Sequence, residues 1–397
     1  VGPLYMMIFA IFSAISVGGT VVVAQYKGRK DTEKLRKAAG QVLFSTAAIA
    51  IVSSVILVAF AGSLVNLMFG AADPVIIDKA RSYLIGVAIS QIFLSIYQGA
   101  FAVFRGMGEA KICLRLTIII NVIHLFASML FINVMHLDIF GTTLSLNIAR
   151  FIGGTVAVWL LMRPKSILRI YPRHVFTFDW SILKSVLRLG IPFALEQVFF
   201  NGGSMLVQTY IVRLGTVNVA ANAICNSAFS ILYSSGMAVG TLATTVVGQC
   251  AGAGDKKLAR RYGSKMIGLG TVITLLSIAA LFPLMPLILK LYQAPQETLA
   301  IIYRLLLTAI IPMPFFWSMS NIMPNVLRAA GDSNFSSIVS LITMWIVRVG
   351  LGYIFAIQLN FGVSGVWICM GIEWAVRTVI FYLRYRTDVW LNKKTVE

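Results

Sequence analysis

The sequence predicts an all-α polytopic membrane protein made of two pseudo-symmetric helical bundles, on three observations. Its 397 residues are 58% hydrophobic and only 12% charged, with mean hydropathy +0.87; a water-soluble globule of this length could not hide so much apolar surface. Basic residues collect in every second connection between apolar stretches. One set of polar motifs occurs twice, 224 residues apart, far beyond the period of roughly 20 to 50 residues that builds a soluble solenoid.

A span needs about 20 predominantly apolar residues, and eleven stretches qualify: 4–25, 40–66, 82–104, 113–135, 141–162, 190–212, 218–249, 264–288, 300–327, 336–358 and 363–383. Several are longer than a bilayer requires, which predicts tilt or kinks. Between them, 25 of the 33 Lys and Arg fall at 27–37, 105–115, 163–188, 256–265, Arg328 and 384–394. The alternate connections hold five: Lys79, Arg81, Arg213, Lys290 and Arg304. By the positive-inside rule the rich set is cytoplasmic, which places the C-terminus in the cytoplasm and the chain in the cell (inner or plasma) membrane. The net charge of +19 is thereby explained by topology, without a nucleic-acid partner.

These spans divide the chain into an N-lobe (1–162, spans 2–6), a cytoplasmic linker (163–189) and a C-lobe (190–397, spans 7–12, with a short basic tail). Five spans are visible in the first half and six in the second, of an expected 6 + 6: the image of 190–212 would precede Val1, so a further N-terminal helix is expected. No basic leader precedes the first apolar run, and no cleavable signal is expected. In the linker, Pro164 and Pro172 break helices, while Trp180, Leu183, Val186 and Leu187 form a stripe opposite Lys184 and Arg188, predicting a helix lying along the cytoplasmic interface. Pro283, Pro286, Pro312, Pro314 and Pro324 concentrate in two C-lobe helices, so that lobe is expected to bend more. Cys113, Cys225, Cys250 and Cys369 lack paired or metal-ligand spacing and read as free thiols.

The repeated motifs lie at predicted cytoplasmic helix ends. Thr20, Val22, Val23, Gln25, Gly28, Asp31 and Arg36 return as Thr244, Val246, Val247, Gln249, Gly252, Asp255 and Arg260. Gly28 and Gly252 would permit a left-handed turn, and Asp31 and Asp255 would cap the next helix. Arg105-Gly106-Met107-Gly108 is echoed by Arg328-Ala329-Ala330-Gly331, a tight turn whose arginine suits a helix C-terminus and anionic lipid.

These duplicated motifs, with Gly190-Ile191-Pro192 opening the second half, closely resemble the multidrug and toxic compound extrusion (MATE) family over essentially the whole chain. The resemblance implies a MATE-like fold of twelve helices in two six-helix lobes with a substrate cavity between them. It implies a secondary antiporter that exports organic, mainly cationic, drug-like compounds in exchange for protons or sodium ions, works by alternating access and acts as a monomer in the bilayer. No cofactor or nucleotide partner is expected, and no nucleotide-binding loop is present.

Ionisable residues inside a membrane cost about 2.5 to 3.5 kcal/mol each and are functional candidates by default. Arg348 and Glu373 lie at matching depth on consecutive spans, and Arg377 follows Glu373 by one helical turn; an Arg-Glu-Arg cluster is expected. Glu196, one turn beyond Pro192, has no basic residue within a helical turn on the inward side, Arg188 lying two turns back. As an unpaired buried acid it would load and release protons, making it the leading ion-coupling candidate. The resemblance adds Asn121 and neighbouring His124, although acids of the family pattern are replaced by Phe200, Trp317 and Leu125. Substrate-cavity candidates are Tyr97, Gln98, Arg150, Asn201, Gln208, Asn222, Asn226, Tyr233, Ser318 and Asn321, polar or aromatic residues in apolar helices, some of which would serve as interhelical hydrogen bonds.

Three other readings compete. A lipid-linked oligosaccharide or lipid flippase of the same superfamily would line its cavity with several cations, and beyond Arg348 and Arg377 only Arg150 is available. An intramembrane enzyme needs clustered nucleophiles and bases, absent around His124. A membrane scaffold would leave Glu196 without a use.

Overall fold

Each apolar stretch folds as helix because a backbone in hydrocarbon must satisfy its hydrogen bonds internally. The computed structural model describes residues 2–69, 73–164, 166, 168–291 and 295–393; Val1, Lys165 in the linker and residues 394–397 of the predicted tail lie outside them. Among the described residues every regular element is helical. Among the described residues eight helices are long and apolar enough to cross a membrane, or nine if a bent pair counts as one span. Gly2–Gly28 (α1) and Trp180–Arg213 (α8) occupy the two remaining stretches; Glu196, Gln197, Asn201 and Gln208 dilute the hydropathy of α8.

The chain divides into two compact units, Val1–Ala194 and Leu195–Thr395. In the first, α1 is followed by α2 (Thr32–Ala59), α3 (Ala61–Phe69), α4 (Pro74–Met107), α5 (Ala110–Ser128) and α6 (Asp138–Met162). Asp31 starts α2 by accepting the Lys34 N–H at 3.0 Å, and Asp73 starts α4 by accepting that of Val75 at 2.8 Å, with Pro74 in the first turn. Helix α4 packs against α1, α2 and α6. Predicted span 40–66 is interrupted, since α2 ends at Phe60. Helix α5 presents Leu114, Ile118, Val122, Leu125 and Phe126 outward, a face suited to lipid.

The linker is docked rather than loose. Leu168 and Ile170 join the core of this unit, the Arg36 Nε–H donates to the Leu168 carbonyl at 3.0 Å, and the Gln41 amide donates to the Thr177 carbonyl. Gly40 makes room for it: a Cβ there would lie 2.1 Å from the His174 carbonyl oxygen. After the short helix α7 (Pro172–Phe176), the expected interfacial helix is instead the opening of α8, a single 34-residue element. Its buried stripe is Ile182, Val186 and Leu189, with Trp180 exposed. The predicted stripe was offset because those turns pack on protein, not on a lipid surface.

The second unit takes the rest of α8, then α9 (Thr216–Gly252), α10 (Lys256–Leu281), α11 (Met285–Leu291), α12 (Gln296–Ile310), α13 (Ser318–Ala329), α14 (Ser333–Thr343) and α15 (Gly362–Arg386). Proline shapes it where expected: α10 gives way to a 3-10 turn at Phe282–Leu284, and the axis bends by 42° between α12 and the segment beginning at Met313. Four stretches widen to π turns, Met129–Val134 in the first unit and Met313–Trp317, Met344–Leu351 and Ile354–Gln358 in the second.

The repeat survives in the turns with one correction. Asp255 accepts the Leu258 N–H at 2.8 Å as Asp31 accepts that of Lys34. The left-handed residues, however, are Lys30 (φ 61°) and Gly254 (φ 76°), which correspond under the same offset, while Gly28 and Gly252 close the preceding helices. Gly108 (φ 85°) and Gly331 (φ 105°) are left-handed, as the Arg-x-x-Gly turn requires.

Candidate functional site

In the second unit five charged side chains from four helical segments form ion pairs away from water, four of them buried and Arg348 partly so. Glu373 on α15 is fully buried, with Arg348 Nε 2.5 Å from one carboxylate oxygen and Arg377 Nη1 3.3 Å from the other. The Arg348 approach is an ion contact without hydrogen-bond alignment, which leaves its Nε–H unmatched. Arg377 also donates to Ser340 on α14 at 2.6 Å. The π turn at Met344–Leu351 carries Arg348. The guanidinium lies over the Phe200 ring, 5.4 Å from its centroid.

Glu196 corrects the expectation of an unpaired acid. It is ion-paired with Arg328 on α13, both nearly buried, and Arg328 also donates to Asn325 at 3.4 Å. The supposed turn-and-anchor arginine of the second half is therefore a buried counterion. The fields of Glu196, Arg328 and Arg348 all reach Arg377 together with that of Glu373. A further pair, buried Asp332 with partly buried Arg384 at 2.8 Å, carries no sequence signal because both residues sit at helix ends where a solvated charge is the default.

The first-half arginine is partnered differently. Arg105 donates to Thr20 Oγ1 at 3.1 Å and approaches Ser16 Oγ at 3.5 Å, and it lies over Phe101. The image of Ser16 in the repeat is Gly240, and its space is taken by Asn325, whose amide nitrogen would lie 2.8 Å from a Cβ there. The same motif thus rests on hydroxyls in one half and on a carboxylate in the other.

Around Arg348 a cavity of about 300 Å³ opens, lined by Gln208, Asn222, Asn226, Trp367 and Met370 among others. The Asn222 amide donates to Gln208 at 3.4 Å and its carbonyl accepts from the Trp367 indole at 3.0 Å. The structure thereby brings together the predicted cavity residues Gln208, Asn222 and Asn226 with the charge cluster. Trp367 and Met370 carried no sequence signal, being apolar residues in an apolar helix.

The other candidates are placed apart from this cavity. Asn201 is half-buried on α8. Tyr233 packs on Phe229 and on Trp317, at 5.3 and 5.9 Å between ring centroids, and Asn321 donates to the Trp317 carbonyl at 3.0 Å. Trp317 and Ser318 are buried, so a large ring fills the position where the family pattern places an acid. In the first unit, the Tyr97 hydroxyl meets Thr117 at 3.2 Å, the Gln98 carbonyl accepts from Ser16 at 3.3 Å and Arg150 donates to Ser90 at 2.5 Å. Asn121 is exposed and donates to the Thr117 carbonyl of its own helix at 2.8 Å, and His124 is half-buried one turn on. Asn121 and His124 belong to a different unit from Glu196. Gln25 is buried, Gln249 half-buried, and all four cysteines are buried and unbridged.

The MatE family model matches residues 1–130 and 192–354. An uncharacterized transporter of Bacillus subtilis, YisQ, is 26% identical over 395 residues, which is 98% of this chain and 85% of that protein. A probable multidrug resistance protein, NorM, of Thermotoga maritima is 24% identical over 400 residues, covering 97% of this chain and 83% of its own. Among solved structures, a crystal structure of MATE in complex with MaD3S superposes with a TM-score of 0.91 at 18% identity, over 99% of this chain and 87% of that one. A Pyrococcus furiosus transporter of the MOP superfamily, whose binding pocket is described as of reverse polarity, superposes at 0.86 with 19% identity over the same shares. The chain is a membrane transporter that belongs to the MATE family.

Proposed function

We propose that this transporter is a secondary antiporter that exports amphipathic organic compounds, cationic ones among them, in exchange for protons or sodium ions by alternating access. It would act in the cell membrane as a monomer with its C-terminus in the cytoplasm and without a cofactor. The observation that carries the reading is the buried charge of the second unit: Glu196, Arg328, Arg348, Glu373 and Arg377 sit in helices of apolar composition. A charge at the centre of a lone membrane helix would cost about 2.5 to 3.5 kcal/mol, and such residues mark ion and substrate pathways. Family membership and relatives named as probable multidrug resistance proteins point the same way.

In this reading the Glu196–Arg328 pair is the coupling element. An arriving proton or sodium ion competes with Arg328 for the carboxylate, and the freed guanidinium lets α8 and α13 separate. Asn121 and His124 are secondary candidates for the same role in the first unit. A flippase for lipid-linked oligosaccharides would need several cations around a pyrophosphate, whereas the cavity presents one guanidinium, Arg348.

Reconstituted into liposomes, the protein should expel a fluorescent organic cation such as ethidium when a proton or sodium gradient is imposed. No transport under either gradient would overturn the proposal. Glu196→Gln should abolish coupled export while leaving substrate binding; full coupling in that variant would remove Glu196 from the mechanism.

A further inference from the structure

We infer that the cavity in the second unit is a receptor for the carboxylate group of an amphipathic organic anion, with Arg348 as its counterion. The inference deepens the export reading by naming a substrate class, and rests on that reading only for the claim that the bound compound is moved.

Three observations converge. First, charge does not balance: among the described ion pairs, Arg348 and Arg377 share one carboxylate, Glu373. Asp332 does not make up the difference, because it is held by Arg384. A buried cationic excess in a low dielectric favours an anion beside it. Second, the excess has one outlet. Glu373 is fully buried and Arg377 nearly so, while the Arg348 side chain is 15% exposed and lines the cavity. Its contact with Glu373 lacks hydrogen-bond alignment at Nε, and a guanidinium has five N–H donors suited to a bidentate carboxylate.

Third, the cavity lining is complementary to such a ligand. Gln208, Asn222 and Asn226 offer amides, Trp367 and Met370 offer apolar surface, and no Asp or Glu is among the lining residues. A cation entering here would meet a guanidinium without a carboxylate to answer it. Phe200 supports the Arg348 guanidinium from the ring side, which restrains it for planar recognition.

The test uses the purified full chain and three amphiphiles with one aryl-alkyl body and different heads: carboxylate, carboxamide and ammonium. Calorimetric titration should show the carboxylate binding at least about tenfold more tightly than the carboxamide, with the ammonium weakest. Equal or tighter binding of the ammonium would overturn the inference in the wild-type protein alone. Arg348→Gln should bring the carboxylate and carboxamide affinities together; retention of the preference would overturn the assignment to Arg348. Because that variant touches the ion network, Gln208→Glu provides an independent check at a more exposed position. It should weaken carboxylate binding about tenfold and improve ammonium binding, and unchanged ratios would count against the site. Carboxylate binding without gradient-driven export would leave the site standing and sink the antiport reading; export with no head-group preference would do the reverse.

Discussion

Replacing Glu373 by Gln keeps the side chain's shape and removes the charge that two guanidiniums share. In the wild-type protein the carboxylate is fully buried, with Arg348 at 2.5 Å and Arg377 at 3.3 Å. Breaking a buried pair by removing one partner costs about 3–5 kcal/mol, because the remaining charge is left in low dielectric without compensation. Here two charges are left, while Arg377 retains Ser340 at 2.6 Å, so the expected loss lies within that range rather than at its double. For a unit of this size each kcal/mol shifts the melting temperature by about 2–4 °C, which predicts a fall of roughly 6–20 °C in detergent. The loss should be the same at about 0.1 M and about 1 M salt, where the screening length falls from about 10 to about 3 Å, since solvent ions do not reach a fully buried carboxylate. Arg377→Met should cost less, because Glu373 keeps Arg348. A Glu373→Gln variant within about 1 kcal/mol of wild type, or one rescued by salt, would refute the reasoning.

Other outcomes follow from the same geometry. Asp31→Ala and Asp255→Ala should each destabilise by about 1 kcal/mol through loss of a helix cap, measured by thermal unfolding, with additive effects in the double variant because the two caps lie in different units. Gly236→Ala would put a Cβ 2.4 Å from the Trp317 ring, whereas Gly268 faces open space; the first should cost about 1–3 kcal/mol by overpacking and the second should be much milder, read from the same melting curves. His174 is governed chiefly by burial, which holds its imidazole below the ordinary value, with Arg173, Arg36 and Lys37 adding to the effect and Glu33 opposing it. Its Nδ1 accepts the Tyr171 N–H at 3.2 Å, a bond only the neutral ring can make. The unfolded state therefore takes the proton first: the linker's docking is intact above about pH 6.5 and weakens as pH falls below it. Hydrogen exchange of residues 168–177 should accelerate on acidification, and a His174→Asn variant should lose that pH dependence.

Helix positions were legible in the sequence because a bilayer imposes a length and an apolarity that few other contexts do, and the Arg348, Glu373 and Arg377 cluster because consecutive spans and one helical turn fix relative depth. The Glu196–Arg328 pair was not legible. Its members are 132 residues apart, and inspection of a helix's own turns cannot show a partner arriving from another helix. Arg328 reads as a turn anchor by analogy with Arg105, yet it pairs with Glu196 where Arg105 rests on Thr20 and Ser16. The stripe on Trp180–Leu189 failed for a related reason: amphipathicity marks which face is buried, but not whether lipid or protein buries it. Gly28 and Gly252 were assigned to the left-handed turn because glycine is its usual occupant, and Lys30 shows that a well-capped following helix can hold another residue there.

The separation of Glu196 from Arg328 also sets an order of events during synthesis. Glu373 enters the membrane one helix after Arg348, so those charges can be neutralised as a hairpin while the ribosome is still engaged. Glu196 must wait until 132 further residues have emerged, holding an uncompensated carboxylate through the insertion of α9 to α12. A nascent chain that stalls before α13 would therefore hold one carboxylate without its counterion.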